Sequence, residues 1–177
     1  MIRKLLQGAI NKRHKDHKDK PFKLEVSDRC HKCDVDVDSL EALYMRGIDV
    51  LQKQPHFKKK MHGGTLKVFF VSDQEIRQLN NNYRKIDKPT DVISLSYFED
   101  SPFPGEDMIG EIFISIDTAK KQAATHKLKV GEEALYLFVH GMLHVFGFDH
   151  EKTVDLEKMF DLQDKIIGHG KWRTIIE

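Results

Sequence analysis

Three histidines within one short run, HGMLHVFGFDH at residues 140–150, are the side chains best placed to do chemistry. His140 and His144 stand four apart, a spacing that puts both imidazoles on one face of a helix, one turn apart. Gly147 can end that helix in a left-handed conformation, and Asp149 and His150 then lie on the returning chain. Nitrogens so spaced can converge on one point from a helix and the turn after it. Zinc needs that arrangement: neutral imidazoles at about 2.0–2.1 Å, with a fourth tetrahedral position open to water. A lone buried histidine is usually a hydrogen-bonded core residue. Three of them without a shared ligand would each have two ring nitrogens to satisfy out of water. The run therefore predicts one zinc per chain, bound by His140, His144 and His150.

The spacing matches the zinc helix and turn of metzincin proteases, with one exception. The general-base glutamate of those enzymes follows the first histidine, and here that position is Gly141. The site is hydrolytic in form but lacks the base for peptide hydrolysis by that route. Glu111 and Asp149 are candidate bases, and Asp149 can equally orient a ligand histidine.

The elements that must hold these residues follow from periodicity. ALYLFVHGMLHVF (134–146) carries no charged residue, as expected of a helix buried on nearly every face, and Glu132 and Glu133 precede it at the positive helix end. That helix is expected over 131–146, with others at 117–127 and about 153–167. FKLEV (22–26), TLKVFFV (65–71), DVISLSYF (91–98) and MIGEIFIS (108–115) read as strands. A helical period from Ser39 runs to Pro55. Ser72 and Glu75 form a capping box for a helix reaching Tyr83. Strands interleaved with helices predict a single α/β layered domain with a small mixed sheet.

Bulk properties narrow the function. With 177 residues the chain suits one domain, and no apolar run approaches the roughly 18 residues needed to span a bilayer. Two cysteines exclude a disulfide framework and make a reducing cytoplasm the expected compartment. The net charge of +1 hides basic blocks: residues 1–20 carry seven Lys/Arg against Asp16 and Asp19, and residues 53–67 carry five lysines and no acid. Such blocks are either solvated surface or sites that meet phosphates. Residues 1–20 form a basic N-terminal extension, either a peripheral helix or an organelle-targeting segment, ahead of a domain over 21–177. CHKC (30–33), with His14 and His17, gives either a Cys2His2 zinc site or loop thiols beside solvated histidines; the second is the plainer reading.

HGMLHVFGFDH resembles the signature of the YbeY family, single-strand-specific endoribonucleases that mature ribosomal RNA. YRKIDKPTDVISLS (83–96) and MIGEIFIS (108–115) resemble that family's second and third segments, in the same order and spacing. The resemblance covers roughly residues 22–170. Leu95-Ser96 stands where the family has Phe-Pro, a departure expected to reshape the cleft wall, and Glu111 stands where Asp is usual. The resemblance implies a zincin-like α+β fold with a mixed, mostly parallel four-stranded sheet and a buried zinc helix. It assigns His140, His144 and His150 to zinc and makes Arg84 a catalytic or phosphate-holding residue. Without it, Arg84 reads as an exposed helix-end arginine near Asp87. The implied activity is zinc-dependent cleavage of single-stranded RNA in maturation of the small-subunit ribosomal RNA 3′ end and ribosome quality control. The implied partners are RNA and the small ribosomal subunit, with no membrane. A small-molecule metallohydrolase or a non-catalytic, zinc-containing ribosome-assembly factor is the alternative.

Overall fold

Runs rich in β-branched and aromatic residues form a four-stranded sheet in the computed structural model, which describes residues 21–31, 34–55, 57, 63–98, 107–148 and 153–168. The strands are β1 (Phe22–Asp28), β2 (Gly64–Val71), β3 (Val92–Ser96) and β4 (Met108–Ser115), in the order β1-β2-β4-β3. β1 and β4 both run parallel to β2, with Phe22 opposite Gly64 and Phe69 opposite Phe113. β3 runs antiparallel to β4, with Ser94 opposite Ile112. The mixed, mostly parallel sheet expected for the family is present.

The helices are α1 (Val37–Gln52), α2 (Asp73–Arg84), α3 (Ile116–His126), α4 (Val130–Val145) and α5 (Thr153–Ile167). Alternation along the strands divides the core in two. Leu66, Val68, Phe70, Ile112 and Ile114 face the larger cluster, which α1, α4 and α5 complete through residues such as Leu40, Phe138 and Ile166. The opposite sheet face, with Val71, Ile93 and Phe113, packs on Ile76 of α2. α4 is the central helix: Ala134, Phe138, Val139, Met142 and Leu143 are all fully buried. That is the packing its uncharged run demands.

Helix ends explain most boundaries. Ser72 Oγ accepts the Glu75 amide at 3.3 Å, half of the expected capping box, while the Glu75 carboxylate accepts from Arg29 Nη1 at 2.6 Å. α1 begins at Val37 rather than Ser39 because Asp36 is its cap; its carboxylate accepts from the Asp38 amide at 3.2 Å and the Ser39 hydroxyl at 2.6 Å. Asp73 joins α2 to the end of β4 and the start of α3, accepting from Ser115 Oγ at 2.5 Å, Thr118 Oγ1 at 2.7 Å and Lys121 Nζ at 2.7 Å. Among the described residues no helix is long and apolar enough to cross a membrane.

Candidate metal and phosphate cleft

Gly147 ends α4 as its sequence position suggests. At φ 83° it occupies the left-handed region, its amide donates to His144 O at 2.9 Å, and the Phe148 amide donates to Leu143 O at 3.0 Å. These two bonds close a Schellman motif and turn the chain sharply after the second histidine. The turn is buttressed by aromatic packing. Phe148 stacks on Phe57 at 5.5 Å between centroids, and Phe57 meets Phe146 edge-on at 6.2 Å.

His140 and His144 project from α4 into one cleft, with Nε2 atoms 3.2 Å apart and rings nearly perpendicular at 81°. Two nitrogens each about 2.0–2.1 Å from a tetrahedral centre stand about 3.3–3.4 Å apart, so the observed separation suits a shared zinc ion. It also suits a shared proton. His150 and Asp149 lie outside the described residues. Among the described residues no group of three or more His, Cys, Asp or Glu is assembled.

The cleft has a volume of about 570 Å³ and is lined by Arg84, Thr90, Asp91, Val92 and Ser94 opposite His140, His144, Gly147 and Phe148. β3 forms its wall because α4 lies against it: Ser96 Oγ donates to Val145 O at 2.6 Å. Gly141 permits that approach. A Cβ there would stand 2.9 Å from both Ile112 Cγ2 and Ser94 Oγ, and 3.2 Å from Val92 Cγ2. The position that holds the general base in metzincins thus faces the sheet, and only a glycine fits.

Arg84 is the last residue of α2 and is exposed at the cleft rim. Asp87, the nearest acid in sequence, is engaged elsewhere. Arg77 Nε and Nη2 each donate to Asp87 at 2.7 Å, and these bonds hold the Asp87 carboxyl below its usual range. Among the described residues no carboxylate pairs with Arg84. The segment after α2 is pinned as well: Lys85 takes a left-handed φ of 61°, the Ile86 amide donates to Asn80 O at 3.4 Å, and Asn80 Nδ2 donates to Lys88 O at 2.8 Å.

Asp91 accepts from the Val92 amide at 2.8 Å, Thr90 Oγ1 at 3.1 Å and Gln122 Nε2 at 3.0 Å. Its oxygens are occupied in holding the cleft wall to α3.

Several expectations are revised. Glu111 is not beside the histidines. Ile112 faces α4, so Glu111 projects to the other side of the sheet, where it accepts from Tyr97 OH at 2.9 Å. Burial, with this bond to Glu111, raises the Tyr97 hydroxyl above its ordinary value. Leu95 and Ser96 do not themselves line the cleft: Leu95 packs with the α2-side cluster, and Ser96 acts on the wall through its bond to α4. Cys30 donates its thiol to Asp28 Oδ1 at 3.2 Å; Cys33, His14 and His17 lie outside the described residues. Sequence reasoning missed the pair between His126 Nδ1 and Glu133 Oε2, 2.8 Å apart, which ties α3 to the central helix.

Comparison with known proteins gives concordant matches. The family model described as endoribonuclease YbeY matches residues 25–170. An endoribonuclease YbeY of Oceanobacillus iheyensis is 39% identical over 132 residues, covering 68% of this chain and 86% of that protein. One from Aquifex aeolicus is 47% identical over 104 residues, covering 58% of this chain and 68% of that protein. The solution structure of TM1509 from Thermotoga maritima matches with a TM-score of 0.50 at 26% identity, covering 85% of this chain and 92% of that one.

Proposed function

The chain belongs to the YbeY endoribonuclease family, and from that premise we propose that it is a zinc-dependent hydrolase that cleaves single-stranded RNA internally. Its setting in this proposal is the cytoplasm. The substrate is the 3′ end of the small-subunit ribosomal RNA, with a further role in ribosome quality control on the small subunit. The observation that carries the reading is the pair of converging imidazole nitrogens, 3.2 Å apart, in a cleft whose rim bears the unneutralised Arg84.

His140 and His144 would hold zinc together with His150. Bound there, zinc supplies Lewis acidity toward a phosphoryl oxygen and acidifies water. Arg84 grips the scissile phosphodiester. Negative charge grows on the non-bridging oxygens as the P–O bond breaks, and a planar guanidinium can donate to two of them at once. Having no carboxylate partner among the described residues, Arg84 loses no ion pair to them when it turns to the phosphate. Ser94 Oγ lines the same wall and can donate to the chain of an extended substrate, while Thr90 Oγ1, whose proton goes to Asp91, can accept from it. Asp91 is not assigned as base, because three donors already occupy its oxygens.

An exposed arginine at the rim favours a phosphate-bearing polymer over a small neutral substrate. Purified protein incubated with end-labelled single-stranded RNA and with the matching duplex tests the reading. Cleavage of the single strand and sparing of the duplex is the expected result; an intact single strand under conditions that retain zinc would overturn it.

A further inference from the structure

Two of the four large apolar side chains exposed among the described residues flank Arg84: Tyr83 is 58% exposed and Ile86 49%. Tyr83 continues the stripe of α2 that Ile76, Leu79 and Asn80 turn toward the protein, yet more than half of its surface is left to solvent. A single exposed tyrosine is ordinary on a protein surface; its surroundings are what mark this one out. Arg84, Lys85 and Lys88 are basic, and the one acid among them, Asp87, is neutralised by Arg77. The platform is also preorganised, because the Arg77–Asp87 pair and the Asn80 contacts fold residues 85–88 back onto α2. An apolar ring beside an unpaired guanidinium within a basic rim suits a nucleotide, whose base and phosphate make the same pairing of surfaces.

We propose that Tyr83, with Ile86 beside it, is a stacking platform for the RNA base next to the phosphate held by Arg84. The inference rests on the reading that the cleft takes single-stranded RNA, and it gives that preference a physical origin. A base inside a duplex has both faces covered by its neighbours, whereas an unpaired base can lay one face on the phenol.

The test measures binding of the zinc-loaded protein to a short fluorescent oligouridylate, which does not stack on itself, and to an abasic oligomer of the same length. Tyr83→Ala is expected to weaken oligouridylate binding roughly five- to tenfold. It leaves abasic binding unchanged, and Tyr83→Phe restores the lost affinity. Met45→Ala removes an equally exposed side chain, on α1 and outside the cleft lining, and is the control for loss of apolar surface. Equal oligouridylate affinity in wild type and Tyr83→Ala overturns the platform while leaving the endoribonuclease reading intact. So does an equal loss toward both oligomers. A wild type that binds neither oligomer overturns the parent reading itself.

Discussion

At the scale of single residues, the account depends on Arg84 acting on phosphate charge and not on the fold. Arg84 is exposed and bears no ion pair among the described residues, so Arg84→Ala should unfold at the wild-type temperature and retain its metal. Its cleavage rate should fall by a factor of about 10²–10³, the typical cost of one transition-state donor. Wild-type cleavage by this variant would remove Arg84 from the mechanism, and a large drop in melting temperature would make it structural. Gly141 makes the opposite case. A methyl group there meets Ile112, Ser94 and Val92 at 2.9–3.2 Å, so Gly141→Ala should cost about 1–3 kcal/mol in denaturant titration through overpacking. The sequence shows that a base is missing at 141, but not that the helix lies too close to the sheet to hold one. Arg84 is the exposed helix-end arginine that the sequence suggests, but Asp87 does not pair with it. Asp87 is three residues away from Arg84 in sequence, yet it is Arg77, ten residues away, that holds it. Glu111 was misplaced because β4 is apolar on both sides of it, so alternation does not say which face the carboxylate takes.

At the scale of elements, sequence signals sufficed where the physics is local. Ser72 with Glu75 starts α2, and Gly147 ends α4, because caps and left-handed turns depend on a few adjacent residues. Asp36 was missed as a cap because a polar run surrounds it, and the His126–Glu133 pair because it joins two helices. Asp73 offers an element-level test. Burial alone would raise its carboxyl, but hydrogen bonds from Lys121, Ser115 and Thr118 hold it below its ordinary value. A depressed folded value means that the stabilisation is fully present above the unfolded value and is lost as pH falls through the folded one. Asp73→Asn should therefore melt below wild type at neutral pH, and the difference should shrink as pH drops below about 4. Melting temperatures of the two proteins across that range check this, and a gap that is constant with pH would exclude the charged hub.

At the scale of the whole molecule, the four strands and the helices that follow them are legible from period and punctuation, whereas the strand order β1-β2-β4-β3 is not. No spacing rule tells β3 to take the outer edge beside α4, and that placement makes the cleft. Charge blocks are likewise only partly legible. Within 53–67, Lys53 pairs with Asp49 one helical turn before it at 2.7 Å and Lys67 lies 3.9 Å from Glu25 on the neighbouring strand, so acids outside the block balance two of those lysines. Residues 1–20 lie outside the described residues. The central claim, that one zinc ion held by the α4 histidines makes this fold a single-strand endoribonuclease, is tested most directly by one paired measurement. Zinc content and single-strand RNA cleavage are determined on the same preparations of wild type and His144→Ala, purified without chelator. The account predicts about one zinc per chain with cleavage in the wild type, and loss of both in the variant. A wild type that carries no zinc, takes none up on reconstitution, and still cleaves the RNA would contradict it.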